Sequence, residues 1–285
     1  MNDLINVDLH SHTKYSDGLL TPSELISRAE ANGVDVLSIT DHDTLKAYPE
    51  ALEVAKDLNI KLVSGCEIST SWNDLPYIHV LVYDFDIKNS VLTNAIEEMQ
   101  QYRYNIALQT NKKLIEAGLP DILDEVLESV DNNFNMLFRT SFARVLAKKG
   151  ICENVDKAKE EYFKPNCPGW VDASFPSIPE VVKWAKQSNA KTVLAHPGQY
   201  NLSTDTDTEL LDYFKLEGGD AIEISTGSHT KEQYRYYQQY CTKNNFLVSR
   251  GSDFHSEDYK GTDLGKGQVI ESENKAIWKM FNNYL

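Results

Sequence analysis

The chain has 285 residues, 41% of them hydrophobic and 25% charged, which suits one large α/β domain and excludes wholesale disorder. Its formal net charge of −15 argues against a protein that coats long nucleic acid, because such binding depends on neutralising many phosphates. No apolar run approaches the ~18–20 residues that span a bilayer, so no membrane partner is expected.

The chain begins Met1-Asn2-Asp3-Leu4, without the basic and apolar regions of a signal peptide, and we expect a cytoplasmic protein. Its four cysteines are scattered with no C-x-x-C pair. An even count is compatible with two disulfides, but without an export signal we expect free thiols.

Strand and helix patterns alternate along the first 65 residues. Residues 5–10 alternate apolar and polar side chains with the period of two that is typical of a strand. Thr21-Pro22-Ser23-Glu24 forms a capping-box pattern with proline at the first helical position, and Gly33 ends this predicted helix. A strand at 34–40, a helix at about 49–59 and a strand at 61–65 follow.

Residues 77–83 indicate a fourth strand, joined to the third through a turn at 73–76. From about 91 to 150 the pattern changes to successive helices, followed by a looser segment at 164–169, which predicts an inserted helical subdomain at 91–170. Alternation then resumes with a capped helix at Ser177-Ile178-Pro179-Glu180 and strands at 192–195, 221–224 and 246–249. Repeated βα units predict a mainly parallel sheet, either closed as a barrel or open and doubly wound.

The first predicted strand ends in Asp8-Leu9-His10-Ser11-His12. Residues two apart share one face of a strand, so Asp8, His10 and His12 point the same way. Two imidazoles at one strand end form a natural metal-binding pair, although H-x-H alone is weak evidence.

Ionisable side chains recur where later strands end: Asp41, His42 and Asp43; Glu67; His196; Asp253 and His255. Five of only seven histidines lie at such points, and the carboxyl ends of parallel strands meet on one face. His79 begins its strand, so it joins this cluster only if 68–78 forms a hairpin beside Glu67. The competing interpretation is a half-buried sheet histidine.

The elements D-L-H-S-H, T-D-H-D, G-C-E, A-H-P and S-D-F-H resemble, in order, those of the PHP (polymerase and histidinol phosphatase) family. The resemblance covers residues 4–93 and 171–267. It implies a distorted (β/α)7 TIM-like barrel, the PHP fold, formed by 1–90 and 171–285. Residues 91–170 would then be a helical insertion that acts as a substrate-selecting cap.

The resemblance also implies three divalent metal ions. His10, His12, Glu67 and Asp253 would hold the first; Glu67 would bridge to a second, held also by His79 and His196; Asp17, His42 and His255 would hold the third. Asp17 stands where several family members use histidine. Mn, Fe and Zn all suit histidine and carboxylate ligands, so the metal's identity stays open.

Within the family, the chain looks most like phosphatases of nucleoside bisphosphates and short-RNA exonucleases. Their Arg-Pro-His segment corresponds here to Arg139-Thr140-Ser141, which leaves the exact substrate open. Arg139, Arg144 and His229 are our candidates for substrate contact. Arg144 is alternatively an ordinary surface residue, and His229 is alternatively a leaving-group acid or a simple helix-start histidine.

Three divalent ions and three carboxylates would leave about +3 of charge, an anion trap suited to phosphate. Two ions about 3.5–4 Å apart can share a hydroxide and direct it at phosphorus, with Glu67 as their bridge. Asp43, like Asp41, is expected to orient ligands or relay protons. No P-loop or G-x-S-x-G pattern is present.

The sequence therefore predicts hydrolysis of a phosphomonoester on a small nucleotide, either a nucleoside 3′,5′-bisphosphate or the 5′ end of a short oligonucleotide. Long duplex nucleic acid and an obligate protein partner are not expected. The alternatives are a histidinol-phosphate-type phosphatase and, from a different class, a vestigial metal-binding accessory module.

Overall fold

The computed structural model describes residues 5–73, 75–88, 90–172, 174–257, 262–270 and 275–285. Its strands are β1 (Val7–Asp8), β2 (Val36–Leu37), β3 (Lys61–Leu62), β4 (Gly65–Trp72), β5 (Leu75–Tyr83), β6 (Lys191–Leu194), β7 (Ala221–Ser225) and β8 (Leu247–Arg250). Its α-helices are α1 (Pro22–Ala31), α2 (Tyr48–Ala55), α3 (Val91–Glu116), α4 (Leu123–Ser129), α5 (Arg139–Lys148), α6 (Val155–Tyr162), α7 (Ile178–Gln187), α8 (Thr204–Leu216) and α9 (Lys231–Lys243). Short 3-10 helices span Phe134–Met136, Pro197–Tyr200 and Ile277–Met280.

The chain divides into two compact units. Met1–Ile96 and Phe175–Leu285 form the strand unit, and Glu97–Ser174 form the helical unit. The sequence placed the insertion at 91–170, whereas the division falls inside α3. The first turn of α3 belongs to the strand unit, where the backbone N–H of Leu92 donates to Ser188 Oγ at 3.0 Å.

The described residues of the strand unit form two sheets. One has the order β1-β2-β3 and is parallel, and the other has the order β4-β5-β6-β7-β8. In the second sheet β6, β7 and β8 are parallel, but β5 runs antiparallel to both β4 and β6. The sheet is therefore mainly parallel, as predicted, except for β5, which runs antiparallel to both of its neighbours.

Backbone contacts join the strand ends that the sequence singled out. Leu9 N–H donates to Arg250 O at 3.2 Å, so the first strand lies beside the last. A parallel bridge pairs His42, in the segment that follows β2, with Glu67 in β4. These contacts explain why β1 and β2 are shorter than predicted, because the residues after them pair singly rather than in a continuous ladder.

Local capping follows the sequence closely. Thr21 Oγ1 accepts from the Glu24 backbone at 3.2 Å while the Glu24 carboxylate accepts from Thr21 N at 2.8 Å, the reciprocal box that starts α1. Ser177 and Glu180 form a second box at the start of α7. Behind α1 and α2, a core of buried side chains that includes Leu25, Ile26 and Leu62 supports the first sheet.

The helical unit has its own apolar core. Buried members on its helices include Leu114, Val126, Phe142 and Leu146. All four cysteines of the chain are free thiols. Among the described residues, no helix is both long and apolar enough to cross a membrane.

Candidate metal centre

Glu67 in β4 is completely buried and lies among five histidine nitrogens. Its Oε2 is 3.2 Å from each of His10 Nε2, His12 Nε2 and His42 Nδ1. Its Oε1 is 3.0 Å from His79 Nδ1 and 2.9 Å from His196 Nε2. One carboxylate thus joins histidines that follow or lie on β1, β2, β5 and β6.

Two aspartates complete the cluster. Asp253 Oδ1 lies 3.4 Å from His10 Nε2 and 3.3 Å from His12 Nε2. Asp17 Oδ2 lies 3.2 Å from His255 Nε2 and 3.7 Å from His42 Nε2. The structure therefore brings together all nine residues that the sequence proposed as metal ligands.

His79 reaches the cluster through the β4–β5 hairpin. Glu67 is paired with Leu81 and Ser69 with His79, so Glu67 and His79 lie on the same face of the two strands. The predicted hairpin is confirmed. The side chain of His79 is partly exposed, and its Nδ1 faces Glu67.

Three residues of the cluster and its loops have positive φ angles, in the left-handed part of φ/ψ space that non-glycine residues seldom occupy. The φ angles are 25° at His196, 56° at Asp253 and 50° at Asp43. Specific bonds hold two of these positions: His196 N–H donates to Glu223 Oε2 at 2.8 Å, and Asp253 N–H to His10 O at 2.9 Å. Such conformations persist where the surrounding structure fixes them, and they are concentrated at functional sites.

Glu223 is a site residue that the sequence reasoning missed. It is fully buried on β7, and its carboxylate contacts His10 Nδ1 at 3.0 and 3.1 Å. This contact turns the Nε2 atom of His10 toward Glu67. The available sequence clue was a charged residue inside the apolar run Ala221-Ile222-Glu223-Ile224, because a buried carboxylate needs a partner.

The other carboxylates near the cluster bind its loops. Asp41 accepts from Thr13 Oγ1 and Ser16 Oγ, both at 2.6 Å, in the segment that follows His12. Asp43 accepts from the backbone N–H and the hydroxyl of Ser69 at 2.8 and 2.9 Å. Both contacts favour the predicted orienting role over direct metal binding.

The donor atoms suit divalent metals. Buried atoms that have no hydrogen-bond partner in the described structure include His10 Nε2, His12 Nε2, His42 Nδ1, His79 Nδ1 and Glu67 Oε2. Buried polar atoms are nearly always satisfied, so this convergence of orphaned donors and acceptors calls for a ligand. Imidazole and carboxylate together favour transition metals such as Mn, Fe or Zn.

Three groups of residues place their ligand atoms close together, with every atom of a group within 4.8 Å of the others in that group. The groups are His12, Asp17, His42 and His255; His10, His12 and Glu67; and His42, Glu67 and His79. The assignment implied by the resemblance differs at four residues, because Asp253 and His196 fall in none of these groups and two histidines fall in more than one. Here His12 also lies with the Asp17 group, and His42 also lies with Glu67. Both histidines have two ring nitrogens, so each can face two neighbouring positions.

Electrostatics within the cluster keep the carboxylates ionised. Burial alone would raise the pKa of Glu67, but the surrounding histidines, His42 and His10 foremost, hold it well below its usual range. Burial lowers the pKa of His42 to about 4, even though Glu67 and Asp17 oppose this shift. Burial also acts to lower the pKa of His12, but the neighbouring carboxylates of Asp253 and Glu67 outweigh it and raise that pKa to about 10. Ionised carboxylates of this kind are prepared to bind cations.

His229 is held by contacts within the protein. Its Nδ1 donates to Ile224 O at 3.1 Å, and its Nε2 accepts from Gly198 N–H at 3.1 Å. Its ring stacks on Tyr237 with a centroid distance of 5.1 Å. Burial lowers its pKa, consistent with a neutral ring. These contacts favour the structural alternative, because both nitrogens are already used.

The two candidate arginines belong to the helical unit. Arg139 begins α5, donates from Nη2 to Val171 O at 2.9 Å and lies 3.6 Å above the ring of Trp170. Arg144, one turn later, is exposed. The guanidinium of Arg139 is therefore held in place, while Arg144 retains its alternative as a surface residue.

Comparison with known proteins decides the family. The sequence pattern of the PHP domain matches residues 8–165, more than half of the chain. The chain belongs to the PHP family. It is 30% identical over 276 residues to a 3′,5′-nucleoside bisphosphate phosphatase of Chromobacterium violaceum, covering 97% of this chain and 96% of that one.

Two further similarities extend along the whole PHP protein. It is 31% identical over 274 residues to a 5′-3′ exoribonuclease of Haemophilus influenzae, covering 96% and 98% of the two chains. A solved amidohydrolase from Chromobacterium violaceum, with bound sulfate and no metal, has a TM-score of 0.78 at 30% identity and 96% and 95% coverage. This PHP protein therefore has the α/β fold of its family and is a hydrolase.

Proposed function

We propose that this PHP protein hydrolyses a phosphomonoester on a small nucleotide, either a nucleoside 3′,5′-bisphosphate or the 5′ end of a short oligonucleotide. The observation that carries the proposal is the buried Glu67 carboxylate with five histidine nitrogens within 3.2 Å. Full-length similarity to a bisphosphate phosphatase and to an exoribonuclease supports this choice of substrate.

The proposed cofactor is a set of three divalent ions of Mn, Fe or Zn. They would be held by His10, His12, Asp17, His42, Glu67, His79, His196, Asp253 and His255. Bound divalent metals supply an activated water at neutral pH and offset the charge of the phosphoryl oxygens. The clustered sets of ligand atoms and the orphaned ring nitrogens support this assignment.

The protein's own groups fix the geometry of that chemistry. Glu223 orients the ring of His10, Asp41 ties the loop after His12, and Asp43 anchors Ser69 two residues beyond Glu67. Hydrogen-bonded partners of this kind set the direction in which a ligand atom points. Each of these carboxylates is at least nine-tenths buried, which restricts motion of the groups it holds.

We propose further that the two sheets form the wall of a distorted (β/α)7 barrel. The bond from Leu9 N–H to Arg250 O and the bridge between His42 and Glu67 support this arrangement, because each joins the segment after a strand of one sheet to a strand of the other. Strand ends gathered in this way are the usual location of active sites in barrels of parallel strands.

Substrate selection is proposed to reside in the helical insertion, with Arg139 as its main phosphate contact and Arg144 as a second candidate. A guanidinium suits phosphate because its planar fork can donate two parallel hydrogen bonds. Stacking on Trp170 supports the proposal for Arg139, since a guanidinium already held in one plane loses less freedom on binding. For His229 we propose only a structural role, in which its ring positions the turn at Gly198.

The net charge of −15 favours short substrates over long duplexes, because repulsion acts on every phosphate beyond the metal centre. A vestigial accessory module is not proposed, since its relatives of matching length are enzymes. Histidinol phosphate remains the rival substrate to be tested.

The deciding experiment is a phosphate-release screen with metal-replete protein. The panel comprises nucleoside 3′,5′-bisphosphates, mononucleotides, 5′-phosphorylated short RNAs and histidinol phosphate, with Glu67→Ala protein as the control for contaminating phosphatases. We expect the highest kcat/KM on a bisphosphate or on short RNA. Faster turnover of histidinol phosphate than of every nucleotide would refute the proposal.

A further inference from the structure

A cavity of about 420 Å³ lies in the strand unit between α8, α9 and the turn that begins at Pro197. This volume is in the range of sites that hold small organic molecules. Its polar and aromatic lining includes Asn201, Asp207, Glu232, Gln233, Tyr236 and Tyr237. None of these residues belongs to the proposed metal centre.

The most unusual lining group is the carboxylate of Asp207. The residue is only 5% exposed, and its Oδ1 accepts from the Tyr237 hydroxyl at 3.2 Å. Its Oδ2 is buried and has no hydrogen-bond partner among the described residues. The nearby Tyr236 hydroxyl pairs with Thr208 Oγ1 at 2.9 Å and also interacts with the Asp207 carboxylate, but it does not satisfy Oδ2. An unsatisfied buried acceptor is costly, so a ligand that brings a donor would be favoured here.

The charged side chains that line the cavity are all acidic. Asp207 and Glu232 are acidic, and no lysine or arginine lines the cavity in the part of the chain that the structure describes. Burial raises the pKa of Asp207 to about 6, so the group is still mainly ionised at pH 7.5. A positively charged ligand would therefore satisfy both the orphaned oxygen and the local charge.

Aromatic rings form another wall of the cavity. Tyr236 and Tyr237 meet edge to face, with centroids 5.0 Å apart and planes at 68°. The ring of Tyr237 also stacks on the ring of His229, which restricts its motion. Aromatic faces beside a carboxylate are the combination that recognises ammonium and guanidinium groups in proteins.

We propose that this cavity binds a small organic cation, an alkyl ammonium or alkyl guanidinium compound, whose N–H group donates to Asp207 Oδ2. The rings of Tyr236 and Tyr237 pack against the cationic head and its alkyl chain, and Glu232 adds a second negative charge. The cavity shares Pro197 and Gly198 with the turn that follows His196, and Gln233 Nε2 donates to Gly198 O at 3.0 Å. The site therefore adjoins the turn that presents a proposed metal ligand.

The test is a ligand-observed NMR titration of the metal-loaded full chain with butylguanidinium and butylammonium. Both carry one charge and do not chelate metals. Pentanol is the neutral counterpart, and adenosine tests whether the cavity prefers a nucleobase. We expect saturable binding of the two cations, with no binding of pentanol and weaker binding of adenosine.

Asp207→Asn keeps the shape of the side chain and removes its charge, and it should weaken cation binding by about tenfold or more. Asp212→Asn is the matched control, because Asp212 lies on the same helix and accepts from Tyr240 at 2.5 Å but does not line the cavity. Its affinity for the cations should match the unsubstituted protein.

Glu232→Gln, at an exposed position, guards against a folding defect in Asp207→Asn and should weaken binding by about two- to fivefold. The proposal fails if neither cation binds saturably, or if adenosine binds more tightly than both. It also fails if neither Asp207→Asn nor Glu232→Gln lowers cation affinity relative to Asp212→Asn. If Asp207→Asn does not fold, unchanged affinity in Glu232→Gln alone is sufficient to reject it.

Discussion

The two compact units of the molecule differ in the chemistry that they carry. All seven histidines belong to the strand unit, where Glu67 and Asp253 lie buried among them. The helical unit, Glu97–Ser174, has no histidine, and its notable polar group is Arg139 stacked on Trp170. From this difference we propose that the capacity for hydrolysis and the choice of substrate belong to separate parts of the chain. Substitutions in the strand unit should then affect all substrates alike, whereas those in the helical unit should discriminate among them.

The largest effect is expected for Glu67→Ala. Removing this carboxylate leaves five histidine nitrogens without their shared anion, so bound metal should fall and turnover should drop on the order of a thousandfold or more on every substrate. Metal analysis and steady-state kinetics measure the two effects, and circular dichroism checks that the chain stays folded. Glu53→Ala, at an exposed glutamate, is the control. Full metal content with near-normal activity would show that Glu67 does not bridge metals.

Arg139→Ala should have the next largest effect, and a selective one. Loss of a charge-assisted bidentate contact costs about 2–4 kcal/mol, so kcat/KM should fall roughly 30- to 1000-fold on a nucleoside bisphosphate. p-Nitrophenyl phosphate has no second phosphate and should be little affected. Lys112→Ala, an exposed cation on α3, controls for the loss of positive charge.

The ratio of the losses in kcat/KM on the two substrates tests whether the two units have separate roles. Equal losses on both substrates would place Arg139 at the reacting phosphate or in a structural role. No loss on either substrate would remove it from the site, and Arg144→Ala would then become the variant to measure.

Glu223→Gln should have an intermediate effect. The amide keeps the volume of the side chain but weakens its hold on His10 Nδ1 and on the backbone of His196. Partners of metal ligands typically contribute 10–100-fold in metal affinity, so titration of metal-free protein should show a loss of about that size. Activity at saturating metal should recover on all substrates alike, which a collapsed site would not do. Glu209→Gln, at an exposed position on α8, should leave the titration unchanged.

Much of the fold could be predicted because its determinants are local. The capping boxes at Thr21 and Ser177 are encoded within four residues each, and the structure confirms both. The hairpin that brings His79 beside Glu67 was also predicted from neighbouring segments and is confirmed by the pairing of Ser69 with His79. Clustering of the proposed ligands followed from the rule that parallel strand ends meet.

What could not be predicted depends on partners distant in sequence. Glu223 contacts His10 across 213 residues, so the apolar run around Glu223 indicates a buried carboxylate but does not identify its partner. The sequence makes His229 a candidate for catalysis and substrate contact, yet its ring nitrogens bond to Ile224 and Gly198, the second of which lies 31 residues away. The compact helical unit begins at Glu97, inside α3, so the helical pattern that starts at residue 91 does not by itself mark the division.

The smallest effect is expected for Asp17→Asn, at the rim of the same cluster. The Asp17 side chain is 38% exposed, whereas that of Glu67 is 1% exposed. Burial acts to raise the pKa of Asp17, but His42, His255 and His12 outweigh it and hold that pKa well below its usual range, so the substitution removes a full negative charge. Water screens charges at an exposed position, and turnover should fall by only about tenfold or less. Dialysis followed by metal analysis should show that about one ion per chain is lost more readily than the others. Asp17→His, which restores a ligand of the type that several family members use, should retain that ion. A loss as large as that of Glu67→Ala would mean that the rim holds an essential ion, and unchanged metal content would remove Asp17 from the centre.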